Sequence, residues 1–387
     1  MMRVACYTNS LSPHQLPLAR EIAAQVGEGN FCYIYRDAIT SERVRLGWGE
    51  TKPPKWCKRG MDDSPELIAA DILYCGGMRP FDLFERRLAA GKKTLYMTER
   101  WFKPPVGLLR LCHPRYFRYA LRLRRLMESN HFVVLPIGIH AARDMAWLCG
   151  LLSGNWRCMF RAPELEFERR PGGRFFLAAK GATRARWRKT YCLDKMRMWG
   201  YFVEEGMAKR NDARKKTQIN ILWVGRLLKL KRVDTIIRAV VELCTHSLCS
   251  AQPEISLDIY GTGPEENRLK KMAARYSSRI HFHPPVPISE VRRLMRSYDI
   301  YVLSSNGSEG WGAVVSEALA EGMQVVGTHE AGASATVLPE SHLFCSGDWR
   351  GLGKLLSVVH TLPREALDVW SVRQAAVNFM KIAQEDV

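Results

Sequence analysis

Two carboxylates, Glu309 and Glu317, stand with seven residues between them in the stretch Ser304–Gly322, SSNGSEGWGAVVSEALAEG. Gly307, Gly310 and Gly312 punctuate the same stretch, and Trp311 stands among them. Glycines let backbone N–H groups come close to a ligand. A helix starting just after Gly312, with Val315, Ala318 and Leu319 on its apolar face, would turn its positive end toward an anion. Carboxylates beside an anion site repel the anion unless they face something else. Hydroxyl groups of a sugar ring are such a target, since one ionised carboxylate accepts two hydroxyl hydrogen bonds. The residues Gly225, Arg226 and Lys231 follow an apolar run, Ile219–Gly225. Arginine offers a planar fork and lysine a point charge, and cations fixed beside a departing phosphate stabilise the charge it gathers.

The elements that must hold these residues read as alternating strands and helices. In the second half, strands are predicted at Ile219–Gly225, Ile255–Tyr260 and Gln324–Gly327, with a helix over Val233–Cys244. Ile255–Tyr260 ends in Gly261-Thr262-Gly263-Pro264, a tight turn without the third glycine of a dinucleotide fingerprint. In the first half, strands are predicted at Val4–Tyr7, Phe31–Tyr35, Asp71–Cys75, Lys93–Met97 and Phe132–Leu135. Helical patterns separate most of them, at Gln15–Val26, Pro80–Ala90 and Ala141–Cys149. Ser12 reads as the N-cap of the first helix, with Pro13 at its first position. Such alternation implies parallel, doubly wound sheets, whose ligands bind beyond the carboxyl ends of the strands. Glu99 and Arg100 occupy such a place, after Lys93–Met97, and Ser12 and His14 another.

Size and composition set the bounds. The 387 residues suffice for two domains, and 47% hydrophobic residues with 11 Trp exclude a disordered chain. No apolar run is long enough to span a bilayer, and the N-terminus lacks a signal-peptide pattern. Eleven cysteines without a framework suit reduced thiols in a cytoplasm. No cysteine stands at metal-ligand spacing from His281 and His283, which read as strand residues. The net charge of +19 is lopsided: residues 1–210 hold 37 Lys and Arg against 20 Asp and Glu, the rest 21 against 19. One half therefore faces something anionic. Within it, Arg100–Met127 mixes eight Lys or Arg with aromatics and leucines. Phe117, Leu121 and Leu123/Leu126 lie on one side of a helix and Arg118, Arg122 and Arg125 on another, the pattern either of a helix in the interface of an anionic bilayer or of a core helix with a solvated arginine face. Arg184–Lys189 adds a second basic stretch.

Glu309-x7-Glu317 in the setting SEGWGAVVSEALAEG resembles the signature of retaining glycosyltransferases of family four, which have the GT-B fold. Gly225-Arg226 with Lys231, the Gly261–Pro264 turn and the loop at Gly332 match that family in order, across about 219–340. The first half matches by pattern and position. It departs at Ser12, Pro13 and His14, where many members carry a Gly-Gly pair, and at Glu99, near a common histidine.

The resemblance implies an α/β GT-B protein, two doubly wound Rossmann-like domains facing across a cleft. Residues 1–205 would form the acceptor domain, 206–217 a linker, 218–362 the nucleotide-sugar domain, and 363–387 a helical segment crossing back to the first. It further implies a hexosyltransferase acting with retention, without metal or other cofactor. Arg226 and Lys231 would hold the diphosphate with backbone around Gly310, Trp311 and Gly312. Glu317 would bind the ribose, and Glu309 the donor sugar and its developing positive charge. Gly225, Gly261, Gly263 and Val286 would approach the nucleotide. Glu99 would serve as an acceptor-side acid or base, beside Ser12, His14 and Arg100. The expected partners are a nucleoside-diphosphate sugar, UDP-linked for preference, and a glycan or lipid-pyrophosphate-linked acceptor of surface-polysaccharide synthesis. Arg100–Met127 would rest on the inner face of the cytoplasmic membrane, and no nucleic acid is expected. A catalytically silent nucleotide-sugar scaffold is the alternative, and a basic nucleic-acid-binding protein a further one.

Overall fold

The computed structural model describes residues 1–41, 44, 52–153, 165–170, 174–179, 192–204, 206, 218–246, 254–362 and 371–385. The basic stretch Arg184–Lys189 and residues 207–217 of the expected linker lie outside them. The chain divides into two compact units, one of Met1–Ile39, Thr51–Phe202 and Trp370–Val387, the other of Thr40–Glu50 and Val203–Val369.

The first unit holds a six-stranded parallel sheet of β1 (Val4–Ser10), β2 (Phe31–Asp37), β3 (Cys57–Arg59), β4 (Ile72–Gly76), β5 (Lys93–Thr98) and β6 (Phe132–Pro136), in the order β3-β2-β1-β4-β5-β6. β4, β5 and β6 are buried at every residue, because helices cover both faces of a parallel sheet. The short edge strand β3 carries no apolar pattern and was not visible in the sequence. A separate antiparallel hairpin, β7 (Leu165–Arg170) with β8 (Arg174–Ala179), was likewise not expected.

Arg87 pins this unit. It is fully buried, and its guanidinium donates to the carbonyls of Leu67, Ala70 and Lys93 and to the Thr94 hydroxyl. The C-terminal helix Val372–Gln384 is capped by the Ser371 hydroxyl and belongs to this unit. There Phe379 meets Tyr74 edge-on at 5.7 Å, and Arg197 pairs with Glu385 at 2.8 Å.

Two expectations for the first unit need correction. Ser12 does not cap the first helix, which runs Leu16–Val26 with proline in its first turn. The Ser12 carbonyl takes the amides of Gln15 and Leu16, and its hydroxyl takes the His14 amide at 3.3 Å, so Ser12–Gln15 is a turn preceding the helix. The helix Pro114–Leu126 buries Ala120, Leu123 and Leu126 in the core while Phe117 stays exposed. Its leucines therefore do not form one outward face with Phe117. Arg122 is bound to Asp82 and Glu85 rather than open to an anion.

The second unit repeats the architecture. Its strands β9 (Gln218–Val224), β10 (Glu254–Tyr260), β11 (Ile280–His283), β12 (Ile300–Leu303), β13 (Gln324–Thr328) and β14 (Leu343–Phe344) are all parallel, in the order β11-β10-β9-β12-β13-β14. Ile219, Ile221 and Trp223 of β9 point into a core shared with Leu257, Ile259, Ile300 and Val302 and with helix Val233–His246. In both sheets the order reverses beside the first strand, at β1/β4 and at β9/β12. Such switch points open a crevice at the carboxyl ends of the strands.

Candidate functional site

At the switch point of the second unit, the turn after β9 and the loop after β12 meet. The Asn306 amide donates to the Leu230 carbonyl at 2.9 Å, and the Ser304 hydroxyl to the Lys231 carbonyl at 2.7 Å. These bonds fix the two segments so that the Lys231 ammonium pairs with Glu309 Oε2. The same oxygen accepts the Ser305 hydroxyl at 2.9 Å. Thr328 Oγ1 in turn holds the Ser305 carbonyl at 2.6 Å, tying in the end of β13. In the sequence Lys231 and Glu309 stand 78 positions apart, with separate expected roles. The structure makes them contacting partners, with Ser305 the member that sequence reasoning missed.

The glycines have specific reasons. A side chain on Gly261 would stand 1.9 Å from the Gly225 carbonyl oxygen, and one on Gly263 2.5 Å from that of Leu227. The turn after β10 lies flat on the turn after β9, held by Leu227 N to Thr262 O and Glu265 N to Leu227 O. Gly261 and Gly263 are thus demanded by backbone against backbone, whereas a side chain on Gly225 would meet the Trp223 ring at 3.3 Å. Gly332 is pressed the same way on the Gly310 carbonyl, and the Ala333 amide donates to the Trp311 carbonyl at 2.7 Å. The Trp311 side chain is turned into the core, only 2% exposed, and so forms the floor of the loop rather than its surface. Arg226 is exposed beside Gly225, and Val286 is half-buried in the loop that follows β11.

Glu317 sits in the helix Val314–Ala320 and is buried. Burial pushes its carboxyl up to about 7, opposed by the charge of Arg292. Its neighbour one turn on, Glu321, has a different environment. Fully buried, it is gripped by Arg292 at 2.6 Å and by Arg296 at 2.7 Å. Tyr301 on β12 feels both Glu309 and Glu317, and burial with these charges raises its phenol. Nothing in the spacing of Glu321, Arg292 or Tyr301 announced them, since they converge only through the crossover between β11 and β12.

A second polar group lies at the ends of β10 and β11. His283 Nε2 meets Asp258 Oδ1 at 2.5 Å, and its ring stacks on Tyr260 at 4.3 Å. The sequence read His283 as a plain strand residue, because its partner is 25 positions away on the neighbouring strand. Among the described residues no group of three or more His, Cys, Asp or Glu is placed to hold a metal ion.

The remaining predicted residues belong to the first unit. Glu99 Oε2 pairs with Lys103 at 2.7 Å, and Tyr201 donates to Glu99 Oε1 at 3.4 Å. The His14 ring lies 6.3 Å from that of Tyr201, and burial pushes its imidazole down to about 4. The Arg100 guanidinium stands 3.7 Å from Asp144, which also accepts the Phe102 amide.

The fold is GT-B: two Rossmann-like units, each with a six-stranded parallel sheet. A solved structure described as trehalose-6-phosphate from E. coli bound with UDP-2-fluoro glucose has a similar fold, with a TM-score of 0.63 and 10% identity over 99% of both chains. Residues 207–356, which contain the whole site of the second unit, match the family described as glycosyl transferases group 1. An uncharacterized glycosyltransferase of Methanocaldococcus jannaschii is 31% identical over 134 residues, 34% of this chain and 33% of the relative. The GtfA subunit of a UDP-N-acetylglucosamine–peptide N-acetylglucosaminyltransferase of Streptococcus pneumoniae is 29% identical over 108 residues, 28% of this chain and 20% of the relative. These matches span a third or less of the curated relatives, and they support the glycosyltransferase family through the second half of the chain.

Proposed function

We propose that the protein is a glycosyltransferase that moves a sugar from a nucleoside-diphosphate sugar to a glycan or lipid-pyrophosphate-linked acceptor, with retention and without a metal ion. The observation that carries this reading is the Lys231–Glu309 pair at the switch point, joined by Ser305 and flanked by buried Glu317. A diphosphate would take the Lys231 ammonium and the exposed Arg226 fork, and sugar hydroxyls the Glu309 carboxylate. As the bond from the anomeric carbon to the diphosphate oxygen breaks, negative charge gathers between the two cations. Positive charge at the sugar ring develops beside Glu309. Glu317, once ionised, would accept both ribose hydroxyls. The bases of uracil and guanine would be told apart beyond β11, around Val286.

The basic first unit would present the acceptor at the carboxyl ends of its strands, near Ser12, His14, Glu99 and Arg100. Exposed Arg115, Arg118 and Arg125 suit an anionic bilayer, the inner face of the cytoplasmic membrane in surface-polysaccharide synthesis. Among the described residues no helix is long and apolar enough to cross a membrane. Calorimetric titration with UDP and GDP, beside a Glu317→Ala variant, tests the donor site. Binding of one nucleotide that the variant loses supports the reading, and a folded wild type indifferent to both refutes it.

A further inference from the structure

Half of the eight arginines and lysines on the segment following β5 are already matched with acids. Arg100 faces Asp144, Lys103 pairs with Glu99, Arg122 with Asp82 and Glu85, and Arg124 with Glu128. Among the described residues Arg79, Arg110, Arg115, Arg118 and Arg125 have no carboxylate within ion-pair distance, and of these Arg79 and Arg110 share the ring of Tyr116. Arg79 follows β4 and lies over the fully buried ring of Trp101, 4.5 Å from its centroid, and 5.7 Å from that of Tyr116. Arg110 lies 5.9 Å from the Tyr116 ring and donates to the Trp101 carbonyl at 3.3 Å. Both guanidinium groups are thus fixed on the same aromatic platform. The platform is rigid, since Trp101 Nε1 is bound to Thr98 Oγ1 at 2.9 Å.

Two further observations point to a ligand. The Nε of Arg79 is buried and has no hydrogen-bond partner among the described residues. A guanidinium spread on an aromatic face keeps its N–H edges for a planar or tetrahedral oxyanion, which it binds with two parallel hydrogen bonds. Along the chain on either side of Arg110 stand large exposed apolar side chains. Val106, Leu109 and Phe117 are 46%, 70% and 45% exposed, three of only seven such residues among those described. Leu109 is the chain neighbour of Arg110, and Phe117 that of Tyr116. Arg110 and these apolar side chains thus belong to one segment, which Arg79 reaches from the end of β4.

We propose that Arg79 and Arg110, held on Trp101 and Tyr116, bind the phosphate or pyrophosphate group of a lipid-linked acceptor, whose hydrocarbon chain lies over Val106, Leu109 and Phe117. The role as acceptor subsite rests on the glycosyltransferase reading. The binding itself does not. A soluble sugar phosphate would use the cations and leave the apolar side chains idle, whereas a neutral lipid would do the reverse.

The test titrates the full chain with geranyl pyrophosphate and with inorganic pyrophosphate, beside UDP and GDP, for wild type, Arg79→Met/Arg110→Met and Leu109→Ser/Phe117→Ser. Methionine keeps the cover over Trp101, and melting curves check folding. Wild type should bind geranyl pyrophosphate more tightly than pyrophosphate. The arginine variant should lose at least about tenfold toward both, and the apolar variant toward geranyl pyrophosphate alone, with nucleotide affinity unchanged. A folded wild type that ignores geranyl pyrophosphate, or an arginine variant within about twofold of it, overturns the subsite. If a nucleotide is still bound in that case, the donor reading survives. Geranyl pyrophosphate binding that needs Arg79 and Arg110 without any nucleotide binding keeps the subsite and removes the glycosyltransferase. Arginine-dependent capture by phosphatidylglycerol vesicles, with no affinity for geranyl pyrophosphate, assigns the site to a membrane headgroup and overturns the acceptor.

Discussion

Replacing Glu317 by Gln tests the electrostatics of the second unit most sharply. Burial holds the Glu317 carboxyl at about 7 in the folded protein, against an ordinary 4.5. Between those values the folded protein keeps a proton that the unfolded chain has released. The stability due to this group is therefore complete below about pH 4.5, falls as pH rises, and levels off above about 7. At about 1.4 kcal/mol for each pH unit, the loss is about 3 kcal/mol. With Glu317 buried, solvent screening takes little from it. Glutamine has no proton to release, so the Glu317→Gln protein should gain about 3 kcal/mol on wild type between pH 4 and pH 8, read from paired urea unfolding curves. Donor binding should show the converse. Ribose hydroxyls need an ionised acceptor, so wild-type affinity for a UDP- or GDP-sugar should rise about tenfold per pH unit up to about 7. The diphosphate diester of such a donor has no proton of its own to lose in that range. The variant should bind weakly and without that slope. Parallel pH profiles for the two proteins, in stability or in affinity, would refute the reasoning.

Other perturbations reach separate parts of the structure. Lys231→Ala and Arg226→Ala should each lower turnover with the identified donor by about 30- to 1000-fold, or about 2–4 kcal/mol of transition-state stabilisation; turnover within about threefold of wild type would remove the residue from the site. Gly261→Ala drives a methyl group into the Gly225 carbonyl and should cost about 2–3 kcal/mol in chemical unfolding, whereas Gly91→Ala, which meets nothing, should cost less. Arg87→Met leaves several buried carbonyls without a donor and should destabilise the first unit by about 3–5 kcal/mol, seen as faster hydrogen exchange in β4 and β5.

What the sequence made legible follows from how each feature is encoded. Strands β1, β4, β5 and β6 are short apolar runs between turn residues, and the helices between them carry a clear period, so the alternation shows in the chain itself. Ser12 misled because a serine before proline reads equally as a cap or as a turn, and the three backbone and hydroxyl bonds that decide it are tertiary outcomes. Leu123 and Leu126 misled because a helix wheel shows a face without showing what covers it; here the core does. In the site, Glu309, Glu317, Arg226 and Lys231 were visible as residue types in a local pattern. Ser305 as a ligand of Glu309 is local, four residues away in the same loop, whereas the Asp258–His283 pair and the grip of Arg292 and Arg296 on Glu321 exist only after elements distant in sequence are set side by side.

The three carboxylates of the second unit show why such convergence matters for chemistry. Glu309, Glu317 and Glu321 share a side-chain type and differ in their cations. Glu321 receives two guanidinium groups and is structural, because removing it would leave Arg292 and Arg296 facing one another. Glu309 pairs with the Lys231 ammonium and accepts the Ser305 hydroxyl, with 13% of its side chain exposed. At Glu317 burial outweighs the attraction of Arg292, and its proton stays to near neutrality. Arg292 both pairs with Glu321 and acts on Glu317, so one cation links the two carboxylates. A Glu321→Gln change should free both guanidinium groups and pull the Glu317 carboxyl down toward its ordinary range. The pH at which donor affinity levels off would then move to lower pH even though residue 321 touches no donor. An unchanged pH profile in a folded Glu321→Gln protein would show that burial alone governs Glu317.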